Sequence, residues 1–68
     1  MSLANNIRTM REQQGLTQEE LAKKVGVTQQ AVDRYERGFM KPNIVVGVTL
    51  AKVLRTTCEE LVGDKPAG

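Results

Sequence analysis

Histidine is absent from these 68 residues, and Cys58 is the only cysteine. A zinc cluster and an intrachain disulfide are therefore excluded, and Cys58 is expected to behave as a small buried hydrophobe. No apolar run is long enough to cross a membrane, and the first residues lack the charged and apolar regions of a signal peptide. The expectation is a soluble, cytoplasmic, nucleoid-associated chain. Without histidine, a metal-ligand cluster or a glycine-rich phosphate loop there is little from which to build an active site, so no enzyme, catalytic residue, metal or cofactor is expected. Glu19-Glu20 and Glu59-Glu60 fit the preference of helix N-termini for negative charge better than they fit acid–base pairs. An excess of one charge is also missing. Ten Lys and Arg stand against eight Asp and Glu, a net +2, which is weak electrostatic evidence for a polyanion partner. Residues 1–42 hold seven bases and five acids while residues 43–68 hold three of each, so the excess lies in the first part of the chain. A chain this short forms one small domain and buries a modest fraction of its surface, which favours association.

What is present is concentrated in QEELAKKVGVTQQAVDRYER, residues 18–37. Leu21 and Val25 are four apart and share a helical face. Thr17 is placed to cap that helix, with Glu20 reaching back to the free backbone N–H, the pattern of a capping box. Gly26 supplies the left-handed conformation that ends the helix. Thr28 caps the next helix and Gly38 closes it. Ala22 falls where the two helices cross, a point at which a larger side chain would hold the backbones apart. The segment reads as a helix-turn-helix.

Projected around the second of these helices, Ala31, Val32 and Tyr35 lie on one side, while Gln29, Gln30, Asp33, Arg34 and Arg37 fall within roughly 140° on the other. Amides and guanidinium groups on a free helix face can make paired hydrogen bonds to adenine N6/N7 and guanine O6/N7 in the major groove. DNA is thus the leading candidate partner.

Outside this segment, Asn5 or Asn6 is placed to cap a first helix running to about Gln14, with Leu3, Ile7 and Met10 on a single face and Gly15 as its stop. Residues 1–6 form a lead-in to a domain spanning 7–61, and 62–68 read as a disordered tail. Arg8 and Arg11 are neighbours on the first helix, with Glu12 supporting Arg8. Phe39 and Met40, together on a loop, are expected to be covered by the next helix or by another subunit. Residues 44–54, IVVGVTLAKVL, are rich in β-branched side chains, but a lone strand could not satisfy its hydrogen bonds. A helix capped by Asn43 is predicted, with Ile44, Val48, Ala51 and Leu54 inward and Val45, Val46 or Val53 on an outer face. Thr57 and Glu60 form a second capping box opening a short helix, TCEELV.

The run IRTMREQQGLTQEELAKKVGVTQQAVDRYERG, followed by KP, LAKVL and TCEEL, resembles the Cro/CI or XRE-like family of helix-turn-helix repressors over about Ile7 to Leu61. The resemblance implies an all-α fold, a compact five-helix bundle of the lambda-repressor-like type with its helix-turn-helix at 18–37. The second helix would cross the DNA backbone and the third would enter the major groove. It also implies a regulator, most often a repressor, binding an inverted-repeat operator of double-stranded DNA as a homodimer, here through loop 39–42 and residues 43–62. Carried over by position, Thr28, Gln29, Gln30 and Arg34 stand where the family reads bases, and Gln18, Arg37 and Lys41 where it meets phosphates. Arg11, a further phosphate candidate, matches with Glu36 an internal ion pair of related repressors. The chain departs from the family at Phe39, where a basic or polar residue is common, and at Gly47, Arg55, Thr56 and Cys58, where Leu, Gly, Val and Leu are usual. A competing use of the same bundle is as an antitoxin-like or adaptor module that binds a protein, motivated by Phe39, Met40 and the valine-rich helix.

Overall fold

The computed structural model describes residues 3–56 and Leu61. Its described residues form four helices: α1 (Leu3–Gln13), α2 (Gln18–Val25), α3 (Gln29–Arg37) and α4 (Ile44–Val53). The fold class is all-α. The expected fifth helix and its Thr57–Glu60 capping box fall outside the described residues, as do Cys58 and the tail at 62–68. Leu61 alone is described there, and it is buried against the core. No helix among the described residues is long and apolar enough to cross a membrane.

One core joins the helices: Ile7 from α1, Leu21 and Ala22 from α2, Val32 and Tyr35 from α3, Leu50 and Ala51 from α4, with Leu54 and Leu61. α3 packs on both α1 and α2, and α2 on α4. Ala22 is almost fully covered, in keeping with a close α2–α3 crossing.

The first helix begins earlier than its sequence suggests. Asn5 and Asn6 lie inside α1 rather than at its cap, so residues 3–6 belong to the folded unit. Asn6 is 5% exposed, and its side-chain amide donates to the Leu61 carbonyl at 2.8 Å. A buried amide is stable only when hydrogen-bonded, and here the bond ties α1 to a residue 55 positions away. The asparagine thus pins tertiary structure, a role no local pattern reveals.

Ile44–Val53 is helical despite its β-branched residues, and Asn43 caps it by accepting from the Val46 N–H at 2.8 Å. Its orientation matches the expected faces at Ala51 and Leu54, which are buried, and at Val45, which is exposed, and corrects them at four other positions. Ile44 is 85% exposed and Val48 is also exposed, whereas Val46 and Val53 pack against the core. Seven of its ten positions carry apolar side chains, so periodicity carries limited information about which side turns inward.

Candidate nucleic-acid interface

The helix-turn-helix is built as its residues dictate. The Thr17 hydroxyl accepts from the Glu20 N–H at 3.1 Å while the Glu20 carboxylate accepts from the Thr17 N–H at 2.9 Å. Those bonds hold the Glu20 carboxyl below its ordinary value, the backbone donor at Thr17 contributing most. Gly26 ends α2 at φ +86°, donating to the Ala22 carbonyl at 2.8 Å, and Val27 donates to the same oxygen at 3.0 Å. That left-handed step turns the chain so that Thr28 can cap α3, accepting from the Ala31 N–H at 3.1 Å.

Gln29, Gln30 and Arg34 emerge on the exposed side of α3. With Gln18 and Asp33 they line one shallow depression. Thr28 is exposed at the start of the same helix; its oxygen is engaged in the cap, which leaves the hydroxyl proton to donate.

A second, polar depression of about 320 Å³ adjoins the first and is lined by Arg8, Arg11, Gln18, Asp33, Glu36 and Arg37. Its floor is an ion pair. Arg11 Nε lies 2.6 Å and Nη2 3.1 Å from the two Glu36 oxygens, and Nη1 donates to the Leu16 carbonyl at 2.7 Å. The two side chains are 12% and 4% exposed. The hydrogen bonds to Glu36 raise the Arg11 pKa further above its ordinary value. Each of the three guanidinium nitrogens of Arg11 thus has a protein partner, and the pair holds α1 against α3 and orients Glu36.

Glu36 in turn accepts from Gln18 Nε2 at 3.2 Å, and the same nitrogen donates to Asp33 at 3.3 Å. Asp33 also pairs with Arg37, Nε to Oδ2 at 3.0 Å. The Arg37 bond, then the Gln18 bond, lowers the Asp33 pKa. Gln18 and Arg37 are therefore joined in a single network. Lys41 stands apart, exposed in the loop that precedes α4. Asp33 and Arg8, which the sequence places on the free face of α3 and beside Arg11 on α1 without a settled role, also line the second depression, Arg8 being 3.7 Å from Glu12. The four-residue spacings Asp33–Arg37 and Arg8–Glu12 were the available signal.

Two capped helices at a glycine turn, with a polar face on the second, define a helix-turn-helix domain. A helix-turn-helix family model matches residues 7–61, and the chain belongs to that family, the XRE type. It is 37% identical over 59 residues to a helix-turn-helix transcriptional regulator of Archaeoglobus fulgidus that is itself uncharacterised, covering 87% of this chain and 84% of that protein. Among solved structures it superposes on the P22 c2 repressor in complex with a synthetic operator with a TM-score of 0.91, 28% identity, and coverage of 96% of this chain and 98% of that one. The biofilm master regulator SinR in complex with DNA matches at a TM-score of 0.81 and 27% identity, over 87% and 95% of the two chains.

Proposed function

We propose that the protein is a sequence-specific transcriptional repressor of the cytoplasm, bound at the nucleoid, that grips inverted-repeat operators as a homodimer. The observation that carries this reading is the common exposure of Gln29, Gln30 and Arg34 on α3, beside Gln18 at the start of α2. In it, α3 enters the major groove, with Gln29, Gln30 and Arg34 reading base edges and Thr28 assisting at the helix start. Gln18 at the positive end of α2, Arg37 and Lys41 meet phosphates, which fix register without reading sequence. The likeness to an operator-bound repressor supports the docking mode.

The dimer surface in this reading is apolar and lies beyond the reading head. Phe39 and Val45 are 77% and 75% exposed and stand with exposed Met40, Ile44 and Val48. A groove lined by Leu3, Pro42, Ile44, Gly47, Val48 and Leu61 adjoins them. No charged residue occurs from Asn43 to Ala51, so a partner face must itself be apolar, as a second copy's is. The antitoxin-like or adaptor reading draws on the same face, and it is favoured by a tight protein partner together with DNA binding that ignores substitution of Gln29 and Gln30.

Selection of sites from random duplex DNA, followed by footprinting, tests the reading. The expected outcome is an inverted repeat with half-site centres about 34 Å apart. Gln30→Ala is expected to lose about 1–3 kcal/mol on the selected site and to relax one base position. Failure of any half-site to enrich would sink specific regulation.

A further inference from the structure

Asp33 places a carboxylate between two side chains assigned above to phosphates. One oxygen accepts from Gln18 Nε2 at 3.3 Å and from Arg37 Nε at 3.1 Å, and the other is 3.0 Å from that same Arg37 nitrogen. Gln18 opens α2 and Arg37 closes α3 on the face that would meet the backbone. A carboxylate bonded to an amide and a guanidinium has the charge and acceptor chemistry of a phosphate.

The Gln18 amide carries two protons, and both are engaged, one on Asp33 and one on Glu36. As held, its side chain offers an incoming phosphate no donor. Glu36 sits beneath this contact in the buried pair with Arg11, whereas Asp33 is the partner at the rim, its side chain 37% exposed.

From this geometry we infer that Asp33 is a built-in counter-ligand: it occupies one proton of the Gln18 amide and the Nε of Arg37 in the free protein, and so suppresses binding to DNA that offers phosphates alone. The inference rests on the DNA-binding reading of the same face. Any duplex must draw these donors off the carboxylate or share them beside a like charge, and that penalty is the same for every sequence because phosphates carry no sequence. Only a site that also satisfies Gln29, Gln30 and Arg34 gains contacts that offset it. Asp33 therefore sets the affinity threshold that any duplex must exceed, and a duplex offering phosphates alone falls short of it.

The test is fluorescence-anisotropy titration of the full chain against a labelled random-sequence duplex and against the selected operator, across a salt series. Asp33→Asn is expected to bind the random duplex about threefold to tenfold more tightly, given charges a few ångströms apart near water. Its plot of log affinity against log salt should steepen by about one ion. The gain on the operator should be of the same size, leaving the ratio of the two affinities unchanged, and Asp33→Ala should move in the same direction. Asp33→Glu, which keeps the charge, should restore wild-type behaviour. In a Gln18→Ala/Arg37→Ala background Asp33→Asn should give no gain, since the donors it frees are gone. Random-duplex affinity and salt slope unchanged in both neutral variants would overturn the inference, as would a gain that persists without Gln18 and Arg37. If the wild-type chain binds no duplex, the DNA reading itself fails; if it binds and Asp33→Asn matches it, only the counter-ligand fails.

Discussion

Glu36 is the side chain on which the reading head turns, because it accepts from Arg11 on α1 and Gln18 on α2 while standing on α3. Buried ion pairs add little net stability, yet removing one partner strands the other charge out of water. Glu36→Ala is expected to cost about 3–5 kcal/mol in chemical denaturation, and Arg11→Met/Glu36→Met to recover much of that loss, because no charge is left unpaired. A loss below about 1 kcal/mol for the single change would refute the assignment. Acid acts on two other carboxylates. Glu20 and Asp33 both have folded pKa values below their ordinary 4.5 and 3.8, so their contributions are fully present above those values and are lost as pH falls through the lower, folded ones. The melting temperature should therefore fall below about pH 4.5. Glu20→Gln keeps an acceptor for the Thr17 N–H but has no proton to gain, so its melting temperature should fall less steeply over that range. An identical pH profile would argue against the capping box as a source of acid sensitivity.

At the scale of the element, all four helices close in the same way, with the residue after the last turn in a left-handed conformation. Gly15, Gly26 and Gly38 serve the first three, at φ +70°, +86° and +79°. Arg55 serves the fourth at φ +58°, donating to the Lys52 carbonyl at 3.2 Å while Thr56 reaches the Ala51 carbonyl at 2.9 Å. A side chain pays a steric penalty in that region that glycine does not, offset in part by glycine's greater freedom when unfolded. Arg55→Gly is expected to stabilise the protein by about 0.5–1 kcal/mol, read as a higher denaturation midpoint. A midpoint equal to or below wild type would show that the arginine side chain makes up for the strain.

For the whole molecule, the division of labour is spatial: the polar face of α2 and α3 is supported by the core, and the apolar face around α4 is left open. Ile44 and Val45 contribute almost nothing to the monomer's own core, being 85% and 75% exposed. Replacing both with serine should leave monomer stability within about 0.5 kcal/mol, as for surface changes generally. It should also shift sedimentation equilibrium from dimer toward monomer and weaken operator binding while leaving half-site contacts intact. A wild-type chain that sediments as a monomer at all concentrations would remove the homodimer from the reading. A Cβ at Gly47 would meet nothing within 4 Å, so no contact within the described residues requires this glycine.

Short-range chemistry made α2, the turn and α3 legible in the sequence, because Thr17, Glu20, Gly26, Thr28 and Gly38 act on backbone groups within a few residues of themselves. The exposed set Gln29, Gln30 and Arg34 followed from helical periodicity for the same reason. The face that α4 turns inward was legible only at Ala51 and Leu54, since seven of the ten positions in Ile44–Val53 are apolar and packing against α2 selects Leu50 over Ile44 and Val48. The bond from Asn6 to Leu61 was equally hidden, because its partners are distant in sequence. The sequence by itself thus determined the helix-turn-helix and its exposed polar face through local caps and periodicity. Only the tertiary structure decided that Arg11 is held inside by Glu36, that Asp33 joins Gln18 to Arg37, and which side of α4 is left uncovered, because each depends on which helices the shared core brings together.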